Sequence, residues 1–109
     1  MNIFETCKIK SIAKGTILLR QGEICKIGCK VIAGCLKSYV LDDTGKEHIM
    51  QFAPEGWIIT DMNSLFNNVP SDITIEAIED SEVYWIESEM LDIWGNASKE
   101  VLLEQIKML

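Results

Sequence analysis

The stretch Cys35-Leu36-Lys37-Ser38-Tyr39-Val40-Leu41-Asp42-Asp43-Thr44-Gly45-Lys46-Glu47-His48-Ile49-Met50-Gln51-Phe52 decides the fold. Its two ends are rich in apolar and β-branched residues. Between them lies Asp42-Asp43-Thr44-Gly45, and Asp and Gly tolerate the left-handed backbone of a tight hairpin. Residues 35–41 therefore pair antiparallel with residues 47–52. One face of the first strand reads Cys35, Lys37, Tyr39, Leu41, and the other Leu36, Ser38, Val40. Both are mixed, as expected when one face lines a barrel and the other is only partly covered.

Working outward, the same punctuation recurs. Gly15, Gly22-Glu23, Gly34, Pro54-Glu55-Gly56 and Asn67-Asn68-Val69-Pro70 follow one another at roughly ten-residue steps, the rhythm of short strands. Strands are expected at 16–19, 28–32 and 73–78. A short apolar run covers 57–59, and Ser81-Glu82 separates 73–78 from a last strand at 83–86. Residues 1–13 read as a lead-in, with Phe4, Ile9 and Ile12 covering one end of the barrel. Met62, Leu65 and Phe66 have helical spacing inside the polar segment 60–70, which predicts one helical turn. After Ser88 the period changes. Ser88 suits an N-cap, Glu89 a first turn and Gly95 a C-cap. A second helix, capped by Asn96 or Ser98, runs to Leu109 with Leu102, Ile106 and Leu109 on one stripe. The expected fold is mainly β with C-terminal helices, one domain built on a small β-barrel.

Composition bounds the function. The chain has 109 residues, 48% of them hydrophobic, and a net charge of −7. That length suits one domain. No apolar run reaches the roughly 18 residues of a membrane helix. The start Met1-Asn2-Ile3-Phe4-Glu5 lacks the features of a signal peptide, so a cytoplasmic protein without membrane contact is expected. The net charge and the scatter of Lys and Arg argue against a nucleic-acid groove on this chain.

Catalytic and metal chemistry find little support. The four cysteines, Cys7, Cys25, Cys29 and Cys35, match neither the paired spacing of zinc sites nor ferredoxin runs. Two of them fall in strands, where free Cys packs as a small hydrophobe. His48 is the only histidine, too few for a cupin-type metal site, and reads as an exposed or half-buried strand residue. No G-x-S-x-G, G-x-G-x-x-G or Walker sequence occurs. No enzyme, metal or cofactor is expected. What remains is a ligand pocket closed by the loop 56–74. Its candidate ligand-binding residues are Thr60, Asp61, Met62, Ser71, Asp72 and Thr74. They supply hydroxyls and carboxylates but no cation.

The order of motifs resembles the cyclic-nucleotide-binding domain. Lys14-Gly15-Thr16-Ile17-Leu18-Leu19-Arg20-Gln21-Gly22-Glu23 looks like its opening "kG-x-x-L-x-x-x-GE". Val31-Ile32-Ala33-Gly34-Cys35-Leu36 is similar to its "v-x-x-G-x-l" strand. Asp43-Thr44-Gly45-Lys46-Glu47 is similar to its "d-x-G-k-E" hairpin, Phe52-Ala53-Pro54-Glu55-Gly56 to the run before the ligand cassette, and residues 75–83 to its closing strands. The nearest flavour is the sensor part of Crp/Fnr-family bacterial transcription regulators. The resemblance implies a double-stranded β-helix, or jelly roll. It implies a sensor domain over 1–97 and the start of a dimerisation helix over 98–109, with Leu102, Ile106 and Leu109 in a homodimer contact. DNA would be bound only through a helix-turn-helix absent from this chain.

The cassette departs from the pattern. With Gly56 and Ala77 as anchors, Thr60-Asp61 stands where cyclic-AMP-binding members carry Gly-Glu. Ser71-Asp72-Ile73 stands where they carry Arg-Ser-Ala, whose Arg pairs with the cyclic phosphate. The expectation is a regulatory domain that binds neither cyclic AMP nor cyclic GMP tightly, with another small-molecule effector as partner. Beyond a small barrel enzyme of cupin type, which the single histidine disfavours, two other readings compete. One is a stand-alone interaction module that dimerises through its C-terminal helix. The other is an iron–sulfur sensor, disfavoured because Cys25, Cys29 and Cys35 lie within the barrel segment.

Overall fold

A computed structural model describes residues 7–89. Phe4, Gly95, the expected second helix and the Leu102/Ile106/Leu109 stripe lie outside these residues. Among the described residues the elements are β1 (Lys8–Ile12), β2 (Ile17–Leu19), β3 (Ile27–Ala33), β4 (Leu36–Leu41), β5 (Glu47–Ala53), β6 (Ile58–Ile59), α1 (Met62–Asn67), β7 (Thr74–Ala77) and β8 (Ser81–Glu87). Every pairing is antiparallel. They form two four-stranded sheets, in the orders β1-β8-β3-β6 and β2-β7-β4-β5.

The β architecture is therefore as expected, but the closed barrel is not seen. The strands that would have to continue the ladder from sheet to sheet are too short: β6 has two residues and β2 has three. The core draws on both sheets. Val31, Ile58, Ile59, Val83 and Ile86 come from the first, and Leu36, Ala53, Ile75 and Ala77 from the second; all are almost fully buried.

Two segments differ from the sequence expectation. Residues 8–12 form a strand rather than a lead-in, paired with β8 from Lys8↔Trp85 to Ile12↔Ser81. Ile12 is buried as expected, but Ile9 is 58% exposed and caps nothing. Ser81 and Glu82 belong to β8 rather than separating two strands. The Ser81 hydroxyl donates to Glu79 O at 2.9 Å and accepts the Cys35 amide at 3.1 Å. That exchange fixes the turn one step earlier.

The 42–45 turn joins β4 to β5 as its residues dictate. Gly45 has φ 84°, which its missing Cβ permits. Asp42 organises the turn. Its Oδ1 accepts the Thr44 amide at 2.9 Å, the Thr44 hydroxyl at 2.6 Å and the Lys46 amide at 3.0 Å. Its Oδ2 meets His48 Nε2 at 2.9 Å. His48 is thus an exposed strand residue tied to a turn.

The Thr44 hydroxyl first, then His48 and the Lys46 amide, hold the Asp42 carboxyl well below the usual carboxylate range. A depressed folded pKa contributes stability above the unfolded pKa of 3.8, and that contribution is lost as pH falls through the lower folded value. The Thr44 and Lys46 amide resonances should therefore show an acid shift below about pH 4 as Asp42 takes a proton. Asp42→Asn should remove that acid shift. An unchanged acid shift in the Asn variant would contradict this account.

Candidate functional site

Met62, Leu65 and Phe66 do mark a helix, and its start is built by the side chain just before it. Asp61 is the N-cap of α1, with extended backbone. Its Oδ1 accepts the Ser64 amide at 3.1 Å, satisfying one of the amides a helix start leaves open. Its Oδ2 accepts the Ser71 hydroxyl at 2.7 Å, across the loop that follows α1. At the other end Asn68 takes the left-handed conformation, φ 56°, and its amide donates to Ser64 O at 2.9 Å.

Ser71 is 2% exposed and tightly held. Its amide donates to Glu23 O and its carbonyl accepts the Gly22 amide, both at 2.7 Å. Its hydroxyl accepts the Ile73 amide at 3.1 Å. The Gly22-Glu23 turn thus clamps the position that faces Asp61.

A pocket of about 320 Å³ opens between α1 and the β4–β5 pair. Of the six sequence-derived candidates, Thr60, Asp61, Met62 and Asp72 line it. Ser71 stands behind Asp61 and reaches the pocket only through that carboxylate. Thr74 does not line it: its hydroxyl oxygen accepts the Gln21 amide at 3.1 Å, and the residue is buried. The sequence reading missed Ser38, Met50, Gln51, Asn63 and Ile73, which complete the lining. A signal existed for two of them. Ser38 shares a strand face with Leu36, and Gln51 shares one with Ala53. A polar residue on a buried strand face is worth notice.

The lining carries two ionisable side chains, Asp61 and Asp72, both acidic. Thr60 donates to Ile27 O at 2.8 Å and Gln51 Nε2 to Ile58 O at 3.0 Å, which fixes the inner wall. Behind Thr60 lies Cys25, whose thiol donates to Ile27 O at 3.1 Å. Cys29 is fully buried, and burial first, then the neighbouring Cys25, pushes its thiol up to about 12. Burial likewise raises Cys7 and Cys35. Such thiols stay protonated near neutral pH and pack as apolar groups. Among the described residues no three His, Cys, Asp or Glu side chains converge on a point where a metal could sit. Among them, too, no helix is long and apolar enough to cross a membrane.

The family model described as the cyclic nucleotide-binding domain matches residues 9–93. No curated protein matches the chain. Among solved structures, the chain is similar to the N-terminal domain of a transcriptional regulator from Streptomyces coelicolor A3(2). That likeness has 22% identity and a TM-score of 0.74, and covers 94% of this chain and 73% of the other. It is similar to the sensor domain of the transcriptional regulator DNR from Pseudomonas aeruginosa, with 22% identity and a TM-score of 0.72 over 93% of this chain and 69% of that one. It is also similar to cAMP-bound PfPKA-R, with 14% identity and a TM-score of 0.72 over 80% of this chain. The chain spans only 30% of that last protein's length. At these identities the likeness shows the fold.

Proposed function

The chain belongs to the cyclic nucleotide-binding domain family, and from that premise we propose that it is the ligand-sensing domain of a Crp/Fnr-like transcription regulator that does not hold cyclic AMP or cyclic GMP tightly. The observation that carries this reading is the Asp61–Ser71 pair. In the family pattern an arginine at the Ser71 position answers the cyclic phosphate. Here that position holds a short hydroxyl, already bonded to Asp61 at 2.7 Å. Its neighbour Asp72 adds a carboxylate to the same pocket.

The energetic consequence has a clear sign. A charge-assisted hydrogen bond to an anion contributes about 1.5–3 kcal/mol, and roughly every 1.4 kcal/mol is a factor of ten in affinity. A carboxylate near the phosphate adds repulsion of similar order. Together these lower cyclic-nucleotide affinity by about a hundredfold or more. Calorimetric titration with cyclic AMP and cyclic GMP should show no saturation below about millimolar concentration. A low-micromolar dissociation constant would overturn the reading.

In this reading the domain binds rather than catalyses. A small effector occupies the pocket, Leu102, Ile106 and Leu109 contribute to a homodimer contact, and DNA is contacted by a separate helix-turn-helix domain. Similarity to the N-terminal domain and to the sensor domain of two transcriptional regulators supports this assignment over a stand-alone module.

A further inference from the structure

Met50 is a residue the sheet does not need. Ser38 pairs with Gln51 and Tyr39 with Ile49, so Met50 is the extra residue of a bulge in β5 and has no cross-strand partner. Without it β5 would alternate cleanly, Ile49 beside Tyr39 on one face and Gln51 beside Ser38 on the other. What Met50 does instead is line the pocket between α1 and the β4–β5 pair, with 44% of its surface exposed. Bulges gather beside functional sites, where they re-aim a side chain.

We propose that Met50 is a modification site: hydrogen peroxide oxidises its thioether to the sulfoxide, and the change alters the pocket while leaving the fold intact. The inference rests on the reading of the pocket as the sensing site, to which it adds a covalent input. The step is a single oxygen transfer. A sulfur lone pair attacks one peroxide oxygen, and the S–O bond forms as the O–O bond breaks. The departing hydroxide takes up the remaining peroxide proton and leaves as water. Sulfur gives up two electrons and the peroxide receives them. Methionine sulfoxide reductases reverse the change, which suits it to regulation.

Three observations converge on Met50. The first is access. Met62, the other methionine of the lining, is half-buried and packs against the core, whereas Met50 is open to solvent. The second is tolerance: a side chain outside the cross-strand pairs can change its polarity without breaking the ladder on either side. The third is competition. Cys25 and Cys29 are buried, and burial raises the thiols of Cys7, Cys29 and Cys35. A protonated thiol is a poor nucleophile, while a thioether has no proton to lose. The sulfoxide then sets a polar oxygen into a wall whose other apolar members are Met62 and Ile73.

Treatment of the full chain with millimolar hydrogen peroxide at about pH 5, where the thiols stay protonated, tests this. Peptide masses should show the Met50 sulfoxide forming about tenfold faster than the Met62 sulfoxide. When only Met50 has reacted, resonances of the pocket residues Ser38, Gln51, Asn63 and Ile73 should shift, and those of Val31 and Val83 in the first sheet should hold. The thermal midpoint should move by less than about 4 °C, as for a change at an exposed site. Methionine sulfoxide reductases should restore the original spectrum. Met50→Leu should abolish the peroxide-induced shifts of the pocket residues, which separates Met50 from Met1, Met90 and Met108. Oxidation of Met62 as fast as Met50, a Met50 sulfoxide that leaves the pocket resonances unmoved or unfolds the domain, or shifts that persist in Met50→Leu would each overturn the proposal. Low-micromolar cyclic AMP binding by the untreated chain overturns the sensor reading beneath it and leaves these oxidation results as they stand.

Discussion

Gly34→Ala should leave the domain largely unfolded at physiological temperature. Gly34 sits at φ +93° between β3 and β4, where a side chain is strained whatever the space. Space is lacking too. A Cβ would meet the Ser81 hydroxyl, lie 2.6 Å from Asp80 O and 2.7 Å from Ser81 Cα. Two of these are backbone atoms, so no rotamer change relieves the clash. The backbone cannot withdraw easily, because Ser81 is paired with Ile12 and its hydroxyl takes the Cys35 amide. Backbone strain of about 1–3 kcal/mol and overpacking of about 1–3 kcal/mol sum to a loss near the stability of a marginal domain, about 5 kcal/mol. Gly45→Ala is the internal control. Its φ is +84°, but nothing lies within 4 Å of the added atom. It should cost only the strain, on the order of 1 kcal/mol. Urea denaturation of both variants checks the difference, and equal midpoints would refute it.

The second large effect is a gain. Ser71→Arg combined with Asp72→Ser should raise cyclic AMP affinity about a hundredfold or more, from two sources of similar size. The new guanidinium enters the pocket beside Asp61, which can orient it, and one repelling carboxylate is removed. The change has a cost. Ser71 is buried, and its hydroxyl bonds to Asp61 and from the Ile73 amide are lost. A stability loss of about 1–3 kcal/mol is therefore expected. Calorimetry reads the gain and thermal melting reads the cost. A folded double variant with no gain would show that position 71 does not face the phosphate, and the alignment of the cassette would fall.

Much of the fold was legible because its turns are made by residues with a local mechanism. Asp42 and Gly45 act within their own four-residue turn, so neighbours in sequence suffice to read it. β1 was not legible. Its apolar residues are only Ile9 and Ile12, and what makes it a strand is β8, some seventy residues away, including Trp85 beneath the Lys10 ammonium at 4.1 Å. Barrel closure was not legible either, since it depends on which strands end early. At the site, Asp61 and Asp72 were readable from the loop. Ser38 and Gln51 were readable only as polar residues on buried strand faces; that they face a pocket follows from the pairing of β4 with β5. Met50 was hidden by register. Ser38 pairs with Gln51 and Tyr39 with Ile49, so Met50 is the extra residue of a bulge, which no alternation rule anticipates.

Among the described residues the two sheets leave four borders, and each border is a seam onto which another chain could be stitched. β6 and β2 offer only two and three residues, too little to template a partner. β1 carries Lys8 and Lys10, which a second strand would have to bring alongside its own charges. β5 is the long one, at seven residues, and there the Met50 bulge breaks the line while Glu47 and His48 charge or hydrate its start. The short strands that keep the barrel open, together with the lysines of β1 and the bulge of β5, are thus features that keep these borders from growing, strand by strand, into a fibre.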